Sequence, residues 1–259
     1  MEQLNDMKHK ELRHVTSYIS PYTINYIHEK NPWIMAWWSA AFPGLGHLML
    51  CKYLVAFTLF FWEISVNYLA GINLAIYYSM IGEMDQASSA INKQWFLMYI
   101  CVYVFAIWDS YSKTVLLNKR YILSYKKGYD IISPNISALE LNILVKRQPL
   151  QSIIWSFLAP GLGHIYINRI FTSLVFIILF VVTSYFSNLL PAIHYSLEGN
   201  FMAAKSCINI QWFLYMPSLY SFVAYDAYVN TVEYNKIYER EQKKYFHREY
   251  QNKDFDYPI

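Results

Sequence analysis

Two histidines and two aspartates recur in this chain in matching surroundings. His47 closes the run Pro43-Gly44-Leu45-Gly46-His47, and His164 closes Pro160-Gly161-Leu162-Gly163-His164. Asp109 follows Ala106-Ile107-Trp108, and Asp226 follows Val223-Ala224-Tyr225. An ionisable group in such apolar company is costly unless it is paired or wet, so each aspartate needs a partner. An imidazole is the partner available at corresponding places. A carboxylate beside it orients the ring and holds its proton. The sequence therefore predicts a His47–Asp109 pair and a His164–Asp226 pair. Such pairs serve acid–base catalysis when a nucleophile accompanies them, and no nucleophile recurs with these. Structural pairing is the favoured reading of the two.

The residues before each histidine are helix-breaking. Pro43 and Pro160 remove a backbone donor, while Gly44, Gly46, Gly161 and Gly163 permit positive φ and close approach of another backbone. A break of this kind inside an apolar segment frees polar backbone groups. It fits an ion or substrate site, as in broken-helix transporters, or a packing hinge in which the histidine satisfies a carbonyl. Both readings stay open at this point.

These elements belong to a larger recurrence. The motif at 43 returns at 160, an offset of 160 − 43 = 117. The same offset carries Gln94-Trp95-Phe96-Leu97 onto Gln211-Trp212-Phe213-Leu214, and Asn118-Lys119 onto Asn235-Lys236, without a gap. About a third of the aligned positions agree, which reads as two tandem homologous units.

Lipid is the expected surroundings of both units. Hydrophobic residues make up 56% of the chain and charged residues 15%, against roughly 25% in soluble domains. Few charges interrupt the stretch from Trp33 to Trp108, and lysine and arginine gather in the polar segments at the start, centre and end. That distribution matches the positive-inside rule and anionic lipid, and no nucleic-acid module surrounds the basic clusters. No apolar core precedes a small-residue cleavage site near the start, so the first apolar segment is expected to act as insertion signal.

Each unit holds three apolar blocks: 33–50, 53–80 and 94–111 in the first, 152–167, 170–197 and 211–228 in the second. The second and third blocks are long enough to cross a bilayer core of about 30 Å. The first blocks carry the breaks. The expected fold is all-α and polytopic, with four full spans plus two Pro/Gly-broken segments and both termini cytoplasmic. The alternative is six spans in inverted repeats, which would put the basic linker outside. The expected divisions are a polar N-terminal segment 1–18, repeat one 19–121, a linker 122–135, repeat two 136–238 and a polar tail 239–259. Residues 4–19 also fit an amphipathic helix, and Ser133-Pro134-Asn135 a helix start.

Other polar residues carry weaker signals. Glu63 and Asn67 stand four apart, hence on one helical face, and are not repeated. Gln94-Trp95-Phe96-Leu97 opens its block with a tryptophan that reads as an interface anchor. Cys51, Cys101 and Cys207 form no pairing motif and read as small apolar residues. No metal-ligand or cofactor motif is present, so none is expected. Asn135-Ile136-Ser137 fits a glycosylation pattern on a segment expected to face the cytoplasm.

Gly44, Gly46, His47, Trp108 and Asp109, with Gly161, Gly163, His164, Tyr166, Tyr225 and Asp226, resemble the two-transmembrane-segment domain family. In that family a Gly-x-Gly and His-containing stretch follows an apolar segment, and a Trp/Tyr–Asp element ends the next. The Arg-Phe-Tyr run of the family is absent here, and the Gly82–Lys93 loop lengthens the gap to the aspartate. The resemblance implies a compact membrane-embedded hairpin unit and no activity.

The expected role is non-enzymatic: a structural, assembly or regulatory component of a bacterial cytoplasmic membrane. The expected partners are the lipid bilayer and other membrane proteins or further copies of this chain. A small-solute or ion transporter or channel is the first alternative, and a membrane-embedded enzyme using His and Asp the second.

Overall fold

A computed structural model describes residues 17–20, 22–125, 131–132 and 144–250. The chain is mostly helical. The helices of the first half are α1 (Pro32–Ala41), α2 (Leu45–Met49), α3 (Tyr53–Ala70), α4 (Ile72–Met80), α5 (Met84–Ala90) and α6 (Lys93–Tyr125). Those of the second half are α7 (Pro149–Leu158), α8 (Leu162–Tyr166), α9 (Ile170–Ser187), α10 (Leu189–Leu197), α11 (Phe201–Cys207), α12 (Ile210–Phe213) and α13 (Tyr215–Tyr250). The bounds of α7 to α11 are those of α1 to α5 displaced by 117, as 149 − 32 shows for the first pair.

Two expectations need correction. The fold is not purely helical: β1 (Ser17–Ile19) pairs antiparallel with β2 (Ile24–Tyr26) and parallel with β3 (Ile131–Ile132), in the order β2-β1-β3. The described end of the expected 4–19 helix is thus strand. Residues 1–16, and the helix start expected at 133–135, lie outside the described residues. Secondly, blocks 53–80 and 170–197 are not continuous helices. Gly71 at φ 68° and Asn188 at φ 55° end α3 and α9 in the left-handed conformation, and a new helix follows each. Glycine and asparagine are the residue types that tolerate this conformation best.

Among the described residues three helices are long and apolar enough to cross a membrane: Tyr53–Ala70, Lys93–Lys119 and Ile170–Ser187. The expected span at 211–228 is divided between α12 and α13 and is not among them. Met216, Leu219, Phe222, Val223, Ala227, Thr231 and Tyr234 are all buried along α13. The corresponding helix α6 instead exposes Leu97, Val104, Phe105 and Trp108. α3 and α9 likewise present Phe61, Phe171, Leu174 and Ile178 outward, which suits contact with lipid.

One core is shared by both halves. Met35, Phe42, Leu45 and Phe60 of the first pack with Phe176, Tyr215, Leu219 and Phe222 of the second. Trp38 stacks its edge against Phe222, with ring centroids 5.0 Å apart. A smaller cluster sets Ile19, Ile24 and Tyr26 of the strands on Ile167, Tyr234 and Ile237.

Candidate functional site

The helix breaks are built alike in both halves. Proline at the first helical position fits the starts of α1 and α7, since its missing N–H would lack a partner there anyway. α1 runs to Ala41, and Phe42 closes it by donating its N–H to the Trp38 carbonyl. Gly44 then takes φ 104°, and Gly161 takes φ 109°. A Cβ at Gly44 would stand 2.7 Å from the Phe60 ring, and one at Gly161 2.7 Å from Ile177. Glycine therefore serves both the turn and the close approach of α3 or α9. A Cβ at Gly46 would overlap Met35 O and Ser39 Oγ, and one at Gly163 would overlap Ser152 O and Ser156 Oγ. The short helices α2 and α8 are thus pressed against α1 and α7.

This folding carries each histidine inward. His47 and His164 are fully buried. His47 Nε2 donates to Asp109 Oδ2 at 2.9 Å, and His164 Nε2 donates to Asp226 Oδ2 at 2.8 Å. A carboxylate can only accept, so Nε2 is the nitrogen that carries the proton. In both halves the other nitrogen, Nδ1, is buried and has no partner among the described residues.

Each carboxylate also meets a cation, but from different places. Lys113, one turn along α6, donates to Asp109 Oδ2 at 2.6 Å. Arg169, at the start of α9, donates from Nη1 to Asp226 Oδ2 at 3.2 Å and from Nη2 to Tyr53 Oη at 3.2 Å. Tyr53 in turn donates to Asn25 Oδ1 at 2.9 Å. The second pair is therefore tied to the first half and to the strand segment. The residue at Arg169's position in the first half is Lys52, which is exposed, and the residue at Lys113's position in the second half is Asn230. Asn230 donates to the Asp226 carbonyl at 2.6 Å and accepts from Tyr26 Oη at 3.0 Å.

Sequence reasoning singled out neither cation. Lys52 and Arg169 are both basic and stand five residues after their histidines, which was the available signal.

Glu63 and Asn67 belong to a buried network that joins the halves. Asn67 donates to Glu63 Oε1 at 2.8 Å and to Asn73 Oδ1 at 3.1 Å. Gln211 donates to Asn67 Oδ1 at 3.1 Å and accepts from the Leu74 N–H at 2.7 Å. Gln211 is thus a buried cross-link between the halves, whereas Gln94 is exposed. Asn73 gave no sequence signal, since its contact lies 138 residues away. The cysteines are free. Among the described residues no group of three or more His, Cys, Asp and Glu side chains could hold a metal ion.

A further polar cluster lies before α1. His28 Nδ1 stands 3.8 Å from Glu233 Oε2, and Lys30 Nζ donates to His28 Nε2. Burial, helped by Lys30, pulls the His28 pKa down to about 3. Burial pulls Lys30 down to about 8, and raises the Tyr26 hydroxyl well above its ordinary value. The Asn118 side chain brackets Lys30 by its backbone, accepting at 3.0 Å and donating at 2.7 Å. Asn235 brackets Arg147 in the same way, at 2.9 Å and 2.7 Å.

Comparison with protein-family models, with curated proteins and with solved structures returned no match. The resemblance drawn from the Gly-x-Gly, His and Trp/Tyr–Asp residues therefore rests on those residues alone.

Proposed function

We propose that this chain is a non-enzymatic integral membrane protein with a structural, assembly or regulatory role in a bacterial cytoplasmic membrane. It is built from two tandem homologous units. α3, α6, α9 and α13 cross the bilayer, the two broken segments do not, and both termini face the cytoplasm. The observation that supports the non-enzymatic reading is that both histidines are wholly buried, each clamped by a carboxylate that a cation also holds. A ring so enclosed braces a helix break against a long helix, and it cannot exchange protons with a substrate unless the helices part. The long buried face of α13 fits a crossing helix packed against its neighbours.

The test is purification of the full chain in mild detergent, followed by reconstitution. A co-purifying membrane partner, with no solute flux in proteoliposomes, is the expected result. Flux that His47→Ala and His164→Ala abolish would overturn it in favour of a small-solute or ion transporter. The observation favouring that second reading is the buried Glu63–Asn67–Asn73–Gln211 network between the halves, since ionisable groups within membrane segments often mark pathways. Topology is tested separately by labelling Lys119→Cys in intact cells. Labelling from outside would reject the cytoplasmic placement.

A further inference from the structure

A cleft of about 680 Å³ opens beside Lys30, away from both histidine pairs. Its walls are the segment between β2 and α1, the end of α6 and the later turns of α13. Lys30 lies in its wall and is only 9% exposed. Its ammonium donates to His28 and stands 5.7 Å from the centroid of the Tyr26 ring. No carboxylate among the described residues pairs with it. Arg147, the residue at the corresponding place in the second half, is half-buried and lies over the Tyr166 ring at 5.1 Å. The two halves share the asparagine bracket, and the first turns its cation into a cleft.

The charges around that cation compensate it only in part, since burial and Arg169 oppose its charge while Asp226 and Glu233 favour it. With Lys30 lowered only to about 8 and His28 lowered to about 3, the pair carries one positive charge at neutral pH, on Lys30. A buried cation beside a neutral partner is costly, and an anion would offset that cost. Glu233 lines the cleft, yet Lys236 takes it at 2.7 Å. Glu29 is exposed at the edge. Arg240 adds a cation one turn beyond Lys236. Asn118, also in the lining, lies at the end of the membrane-capable stretch Lys93–Lys119. The phosphates of a leaflet lie at the ends of such stretches.

We propose that this cleft binds a phosphate group, carried either by an anionic lipid or by a soluble phosphate ester, with Lys30 as its inner cation and Lys236 and Arg240 at its mouth. Lysine supplies a compact charge to such a group and arginine a planar fork.

The test uses the full chain in nanodiscs. In one arm the discs hold phosphatidylcholine and phosphatidylglycerol, and native mass spectrometry reads which lipid stays bound after release. In the other they hold phosphatidylcholine only, and inorganic phosphate is titrated with chloride as control. Retained phosphatidylglycerol assigns the lipid source, and saturable phosphate binding assigns the soluble one. In either arm Lys30→Met is expected to weaken binding about tenfold, and Lys236→Ala and Arg240→Gln about threefold each. Absence of binding in both arms overturns the proposal, as does binding that Lys30→Met leaves unchanged. Should Lys30→Met fail to fold, the two mouth variants decide: weakened binding supports the site, and unchanged binding rejects it.

Discussion

The two histidine–aspartate pairs have nearly the same bond length and very different surroundings. Asp109 is answered by a lysine of its own helix, and that lysine is about a third exposed at 32%. Asp226 is answered by Arg169 from another element, and both side chains are 2% exposed. The strands and the Tyr53 hydroxyl lie over the second pair, whereas the first lies near the protein surface. What both sites share is a carboxylate neutralised by a nearby cation, and the chain supplies that cation from position 113 in one half and position 169 in the other. A repeated motif therefore fixes the pair without fixing what balances it.

That contrast can be broken most sharply at Arg169. Arg169→Met leaves Asp226 buried with only the imidazole, and should cost about 3–5 kcal/mol, read as a large fall in unfolding temperature in detergent. A small effect would mean that the second pair is wetter than its burial indicates. Next in size is Gly163→Ala, whose methyl would overlap Ser156 and the Ser152 carbonyl. It should cost about 1–3 kcal/mol in the same measurement. Gly82→Ala, where a Cβ meets nothing but φ is 84°, serves as a control for backbone strain without crowding. Lys113→Ala should lie at the small end, about 0–1 kcal/mol, and should shrink further in high salt. Equal losses at Lys113 and Arg169 would erase the distinction between the halves.

His28 adds a dependence on pH. His28 titrates near 6.5 when unfolded and near 3 when folded. Between those values the unfolded chain binds more protons, so stability falls as pH drops from about 6.5 towards about 3. His28→Asn should flatten part of that acid limb in a pH series of unfolding temperatures. An unchanged limb would show that His28 is solvated.

The break at Pro43 and Pro160 and the geometry of both pairings were readable because residue types with narrow physical options recurred in register. The left-handed ends at Gly71 and Asn188 left a trace as well, since only glycine and asparagine take that shape readily, but long apolar runs concealed it. The strands escaped notice because a three-residue element has no period to detect. Gln211 could not be separated from Gln94 by sequence, since one is buried by the opposite half and the other is not. The Lys30 cleft was hidden for the same reason, as Lys30 and Glu233 come to line one cleft through the packing of the two halves. What the pairs do in the cell has no such local signature.

The asparagine brackets bear on how the molecule is made. Asn118 clasps the backbone at Lys30, and Asn235 the backbone at Arg147, each across 88 residues. A nascent chain therefore cannot fasten the beginning of α1 until the far part of α6 has left the ribosome, and then both strokes of the clasp close together. The earlier unit can latch while its successor is still being translated. Its surface would then be a finished template against which the later helices settle.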